Sequence, residues 1–274
     1  MMEMKAVLSG AAVLLLLGAC GTTGMSEEDT TDRSGGSEQP DTKNTNSESA
    51  AAEEGVLSEE ATFSHVYEFD LDLELTDDEE WEYKYERDDS AEIERGDGKD
   101  LKGSQAEEEI EALLGAAVIT ADRPFSEIKS EVLGELGLQE VDVKEFELEI
   151  KYDGGEKLEV DHKPKRAEEN KSVHEFDLDI EFTNKEQWEY EYERDDNEAE
   201  IERDGSESSV TGTEAHEEIE AILGSIDIST DRSIEEMRAE VLEAVNAEEE
   251  EVKKIDVDID FQDGEKIKFK QDLS

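Results

Sequence analysis

EFDLDLELTDDEEWEYKYERDD at residues 68–89 and EFDLDIEFTNKEQWEYEYERDD at residues 175–196 decide how this chain is built. In the first stretch Phe69, Leu71, Leu73 and Leu75 alternate with Glu68, Asp70, Asp72 and Glu74. After TDDEE the alternation resumes, with Trp81, Tyr83 and Tyr85 set against Glu82, Lys84 and Glu86. A period of two is that of a strand with one apolar and one charged face. The second stretch repeats the first at an offset of 107, so the chain contains an internal duplication.

The duplication extends outward from these strands. AEIER recurs at 91–95 and 199–203, and EEEIEALLG at 107–115 matches HEEIEAILG at 216–224. KYDGGEKLEV at 151–160 matches DFQDGEKIKF at 260–269. Between them the apolar period changes to that of a helix. Ala106, Ile110, Leu113 and Leu114 share one helical face, and Ile128, Val132, Leu133 and Leu136 another. Ser104-x-x-Glu107 and Ser233-x-x-Glu236 have the form of capping boxes, with Thr213 in the cap role in the second copy. Asp153-Gly154-Gly155 and Asp263-Gly264 mark closing hairpins. Each copy reads β-β-β-α-α-β-β. The expected fold class is α+β: two tandem two-layer sandwiches, each a mostly antiparallel sheet with two helices on one face. Each copy is expected to fold alone.

The N-terminus reads MMEMKAVLSGAAVLLLLGAC. Lys5 precedes an uncharged run from Ala6 to Ala19, too short for the roughly 20 apolar residues that span a bilayer and of the length of a signal-peptide core. Leu17-Gly18-Ala19-Cys20 resembles the bacterial lipobox, which implies cleavage before Cys20 and lipid attachment to its thiol. Residues 21–62 are rich in Ser, Thr, Gly and acid, a self-repelling tether of roughly 35 Å root-mean-square span. The expected boundaries are a signal peptide at 1–19, the lipidated tether at 20–62, copy one at 63–163, a charged linker at 164–172 and copy two at 173–274.

The motifs together resemble the YusW-like lipoproteins of Gram-positive bacteria: the lipobox, an F-x-L-x-(L/I) strand, a WEYxYER strand, AEI, and a closing hairpin with Asp-Gly. The resemblance implies the fold and a place on the outer face of the cytoplasmic membrane. It implies no activity, catalytic residue or ligand.

The chain carries 82 acidic and 27 basic residues, a net charge of −55. That repels phosphate backbones and excludes nucleic acid as a partner. It also favours a monomer and strains the compact state. Asp256-x-Asp258-x-Asp260 imitates the opening of a calcium loop, but Phe261 and Ile267 stand where that loop needs Gly and Glu. These aspartates are weak candidates for Ca²⁺ or Mg²⁺, and a solvated sheet face is the plainer account. His65, His162, His174 and His216 lack ligand spacing for zinc. Trp81, Tyr83, Tyr85, Trp188, Tyr190 and Tyr192 alternate inward and read as core, with Arg87 and Arg194 as ion-pair partners at its edge. No catalytic signature or cofactor is expected. The expected function is a non-enzymatic extracytoplasmic binding or shielding module, attached to the membrane through Cys20 and facing an unidentified protein. The rivals are divalent-cation buffering or salt adaptation, and inhibition or assembly of a secreted partner.

Overall fold

A computed structural model describes residues 63–96, 98–165, 171–195, 198–204 and 209–273. The signal segment, Cys20 and the tether lie outside the described residues, as do residues 166–170 of the linker.

The first copy runs β1 (Val66–Leu75), β2 (Glu80–Glu86), β3 (Ser90–Arg95), β4 (Leu101–Lys102), α1 (Ser104–Ala116), α2 (Phe125–Glu135), β5 (Val143–Tyr152) and β6 (Lys157–Lys163). The second repeats it as β7 (Val173–Phe182), β8 (Gln187–Glu193), β9 (Glu198–Arg203), β10 (Val210–Thr211), α3 (Thr213–Leu223), α4 (Ile234–Val245), β11 (Val252–Phe261) and β12 (Lys266–Asp272). The alternation does what the sequence predicts of it. Phe69, Leu71 and Leu73 are buried on one side of β1, opposite Tyr85, Tyr83 and Trp81 of β2. Ile110 of α1 and Val132 of α2 are fully buried in the same apolar cluster.

The expectation of two separate sandwiches is overturned. Among the described residues all strands form one 12-stranded sheet in the order β10-β9-β8-β7-β11-β12-β6-β5-β1-β2-β3-β4, with antiparallel pairing throughout. The copies meet where β6 pairs with β12, from Lys157 opposite Asp272 to Lys163 opposite Lys266. The reason is physical. The closing hairpin of each copy leaves a seven-residue edge strand with an open row of N–H and C=O groups. Pairing the two edges satisfies both rows. The outer edges that remain, β4 and β10, are two residues long. Beneath the seam the apolar side chains of both copies join one core.

A second contact supports the seam. The Phe125 N–H donates to the Arg232 carbonyl (3.1 Å), and the Ser126 N–H to the Thr230 carbonyl (2.7 Å). In return the Glu235 N–H donates to the Ala121 carbonyl (2.9 Å). Helix starts have unpaired N–H groups, and here each copy's loop supplies acceptors for the other's helix.

The helix starts divide on capping. Ser233 accepts from the Glu236 N–H (3.1 Å) and Glu236 accepts from the Ser233 N–H (3.3 Å), the expected reciprocal box. Ser104 and Thr213 instead lie inside their helices. The caps are Gly103 (φ 62°, ψ −138°) and Gly212 (φ 69°, ψ −138°), in a region open essentially to glycine alone.

Candidate functional surface and the buried network behind it

The outward sheet face is charged from edge to edge. On β1 it carries Glu68, Asp70, Asp72 and Glu74, all half-buried, and β7 places Glu175, Asp177, Asp179 and Glu181 in the same row, with Glu175 and Asp179 exposed. Lateral carboxylates four to six ångströms apart repel one another, and neighbouring strands remove water from them. Burial, with Glu149 next, pushes Asp70 up to about 6. Burial and Glu175 push Asp177 up to about 6. Burial, then Asp161, pushes Glu147 up to about 7, and burial, then Glu145, pushes Asp161 up to about 6.

Among the described residues, carboxylate oxygens converge within 4.8 Å in two triplets, Glu68/Asp70/Glu149 and Glu145/Glu147/Asp161. Neither contains Asp256, Asp258 or Asp260. Those three lie on β11 directly across from Lys270, Lys268 and Lys266 of β12, and Asp258 is 2.8 Å from the Lys266 ammonium. On their other side they stand across from Asp179, Asp177 and Glu175 of β7, so the lysine row flanks them on one side only. The sequence reading missed this row, although KIKFK at 266–270 alternates in plain view.

Lysines in fact gather at the middle of the face. Lys157 pairs with Glu149 (2.7 Å), Lys163 with Glu145 (2.6 Å), and Lys270 reaches across the seam to Glu159 (3.4 Å). Away from the seam the copies differ. Lys84 stands opposite Asp70, and Lys102 pairs with Glu92, in the first copy. The second has Glu191 opposite Asp177 and Thr211 opposite Glu200. An open acidic concavity forms there, lined by Asp177, Glu191, Glu193 and Glu200.

The inward aromatics pack as the alternation predicts. Tyr83 and Tyr190 are buried, and Trp81 and Trp188 are partly buried against the core. Arg87 bonds Asp153 (2.6 Å) at the core edge. Arg87 also hydrogen-bonds Tyr85, and Arg194 keeps the equivalent contact by donating to the Tyr192 hydroxyl (3.4 Å). The arginines of AEIER form the more regular device. Arg95 lies 5.4 Å from the Trp81 ring and donates to the Tyr83 hydroxyl and Glu109. Arg203 repeats this with Trp188 at 5.5 Å, the Tyr190 hydroxyl at 2.9 Å and Glu218 at 2.5 Å. Each ties a helix to its sheet.

Behind the seam lies a titratable network assembled from residues far apart along the chain. Lys129 of α2 is 3% exposed, and its ammonium lies 2.9 Å from Nδ1 of buried His162 on β6. An ammonium donating to Nδ1 assigns the imidazole proton to Nε2, which faces Glu265 of the second copy at 3.5 Å. Glu265 also pairs with Lys171 at 3.1 Å. Burial holds both Lys129 and His162 below their usual values. The hydrogen bond from His162 holds Glu265 below its own. The matching position of the second copy holds Arg238, which donates to Gln271 (2.6 Å) and pairs with Glu249.

These features define a class: a duplicated α+β module fused through its edge strands, with a wide charged face on one side and its helices on the other. Residues 67–154 and 174–263 match the YusW-like protein family, and the chain belongs to it. No curated protein and no solved structure matches the chain. Both matched stretches end before the closing strands β6 and β12, so the strands that join the copies lie outside them.

Proposed function

We propose that the chain is a lipoprotein held through Cys20 at the outer face of the cytoplasmic membrane, and that its folded part is a non-enzymatic binding or shielding module. The observation that carries the second half is the continuous charged face. Its carboxylates crowd together on the arms of the sheet, outside the lysines at the seam, an arrangement suited to a broad cationic surface more than to a small substrate. The anchor half rests on the leader and Leu17-Gly18-Ala19-Cys20. Among the described residues no helix is long and apolar enough to cross a membrane. An acidic domain is repelled by anionic headgroups, so the tether at 21–62 would hold it off the bilayer.

The test is Cys20→Ala in cells. The substituted protein is expected in the medium or as uncleaved precursor. Normal processing with retention in the membrane fraction would overturn the anchor. Crosslinking from the charged face, with partners identified by mass spectrometry, tests the module: basic extracytoplasmic proteins support it, and turnover of a small molecule by the purified chain contradicts it.

A further inference from the structure

The seam between the copies is symmetric in geometry and asymmetric in charge. Val160 faces Phe269, the two residues that correspond in the duplication, so a local two-fold axis passes between them. The N-terminal loops of α2 and α4 obey the same axis, with Pro124 bridged to its counterpart Ser233. A two-fold edge of this kind is self-complementary in its backbone: the same surface can receive either copy.

The outward side chains distinguish the two. β6 presents Lys157, Glu159, Asp161 and Lys163, and β12 presents Lys266, Lys268, Lys270 and Asp272. In the observed pairing Lys157 faces Asp272, Glu159 faces Lys270 and Asp161 faces Lys268; only Lys163 faces a like charge, Lys266. Place β6 against a second β6 in the same register. Lys157 then faces Lys163 and Glu159 faces Asp161, each twice, and every outward pair is repulsive. Place β12 against β12, and Lys268 faces Lys270 twice, relieved only at the ends by Lys266 with Asp272. Like charges directly opposite destabilise an antiparallel pair, and opposite charges stabilise it.

We propose that β6 and β12 are matched recognition strands whose outward charges make each copy the partner of the other and a poor partner for its own kind. Repulsion against the wrong pairing is what makes such a choice specific. Within one chain the linker keeps the correct partner at high effective concentration, so the seam closes internally and chains crowded on a surface remain separate. Glu265 and His162 add a heterotypic contact on the inner side.

The test places a protease recognition sequence at 167–170 of the full chain. After folding and cleavage, the halves are separated in urea, refolded together at low salt and examined by native mass spectrometry. The account expects heterodimers in large excess over both homodimers. A statistical mixture of the three, or separate monomers, would overturn it. Lys268→Glu with Lys270→Glu should weaken the heterodimer by about tenfold or more. In the intact chain a double-mutant cycle of Glu159→Lys and Lys270→Glu decides the matter even where cut halves refold poorly. The paired variant is expected to unfold at a higher urea concentration than the two single effects predict together. Additive effects would contradict the proposal.

Discussion

Asp70 and Asp177 hold the same place in the two copies, and each is pushed up to about 6, yet one faces Lys84 and the other Glu191. The inward neighbours scarcely differ: Phe69, Leu71 and Tyr83 answer to Phe176, Leu178 and Tyr190, all buried. A second contrast is compensated. Tyr152 donates its hydroxyl to the Ile119 carbonyl in the first copy. Phe261 cannot do so in the second, and Lys171 donates to the Ile228 carbonyl (3.3 Å) while lying 4.5 Å over the Phe261 ring. Inner-face positions are fixed by packing, where volume and polarity admit few substitutes. Outer-face positions are free to differ in charge, and they do so both at the seam, where Glu159 and Asp161 correspond to Lys268 and Lys270, and away from it, where Lys84 corresponds to Glu191.

The comparison is broken most forcefully from inside. Phe69→Ala and Phe176→Ala each remove a fully buried ring and should cost about 3–5 kcal/mol. With one shared sheet, either substitution lowers the midpoint of a single urea transition seen by every probe. Two transitions, only one of them moved, would show that the copies unfold independently.

Acidity comes next. Asp70, Asp161, Asp177 and Glu147 have folded values raised to about 6, 6, 6 and 7. A raised carboxylate binds its proton in the folded state first, so the folded state gains as pH falls from above 7 toward the unfolded values near 4. His162 acts in the opposite sense. Its folded value lies below the ordinary 6.5, so the unfolded state takes the proton first and stability is lost as pH falls below 6.5. The carboxylates outnumber it, and the thermal midpoint should rise between about pH 7.5 and 5. His162→Gln, which installs the second copy's Gln271 arrangement, should steepen that rise. A midpoint that falls over the same range would refute the assignment of these groups.

A smaller effect sharpens the contrast between the faces. Glu191→Lys gives the second copy the cross-strand pair of the first and should stabilise it by about 0.2–1 kcal/mol. NMR titration should then show Asp177 ionising at lower pH. Lys84→Glu should do the reverse to Asp70. Equal titration of Asp177 before and after the substitution would remove the role given to Glu191.

Much of this was legible in the sequence, for identifiable reasons. Phe69 to Leu75 and Trp81 to Tyr85 announce strands and their inward faces by a period of two, and the Asp-Gly turns announce the hairpins. Three features were not legible. The join of β6 to β12 depends on which edges meet, and a strand's own pattern is the same whether its edge is open or paired. The lysine row facing Asp256, Asp258 and Asp260 required the register of β11 on β12. Lys129 lies on the buried stripe of α2 with Phe125, Ile128, Val132 and Leu133, so helical spacing turns it inward, but its pairing with His162 required the packing of α2 on β6.

The shared sheet is tested most directly by hydrogen–deuterium exchange of the intact chain, followed by NMR at residues 157–163 and 266–272. A closed seam predicts that amides of β6 and β12 pointing toward each other exchange as slowly as those of β1 and β7 in the sheet interior. Fast exchange of the seam-facing amides, beside slow exchange of those bonded to β5 and β11, would mean that each copy keeps a free edge and that the copies form two sheets.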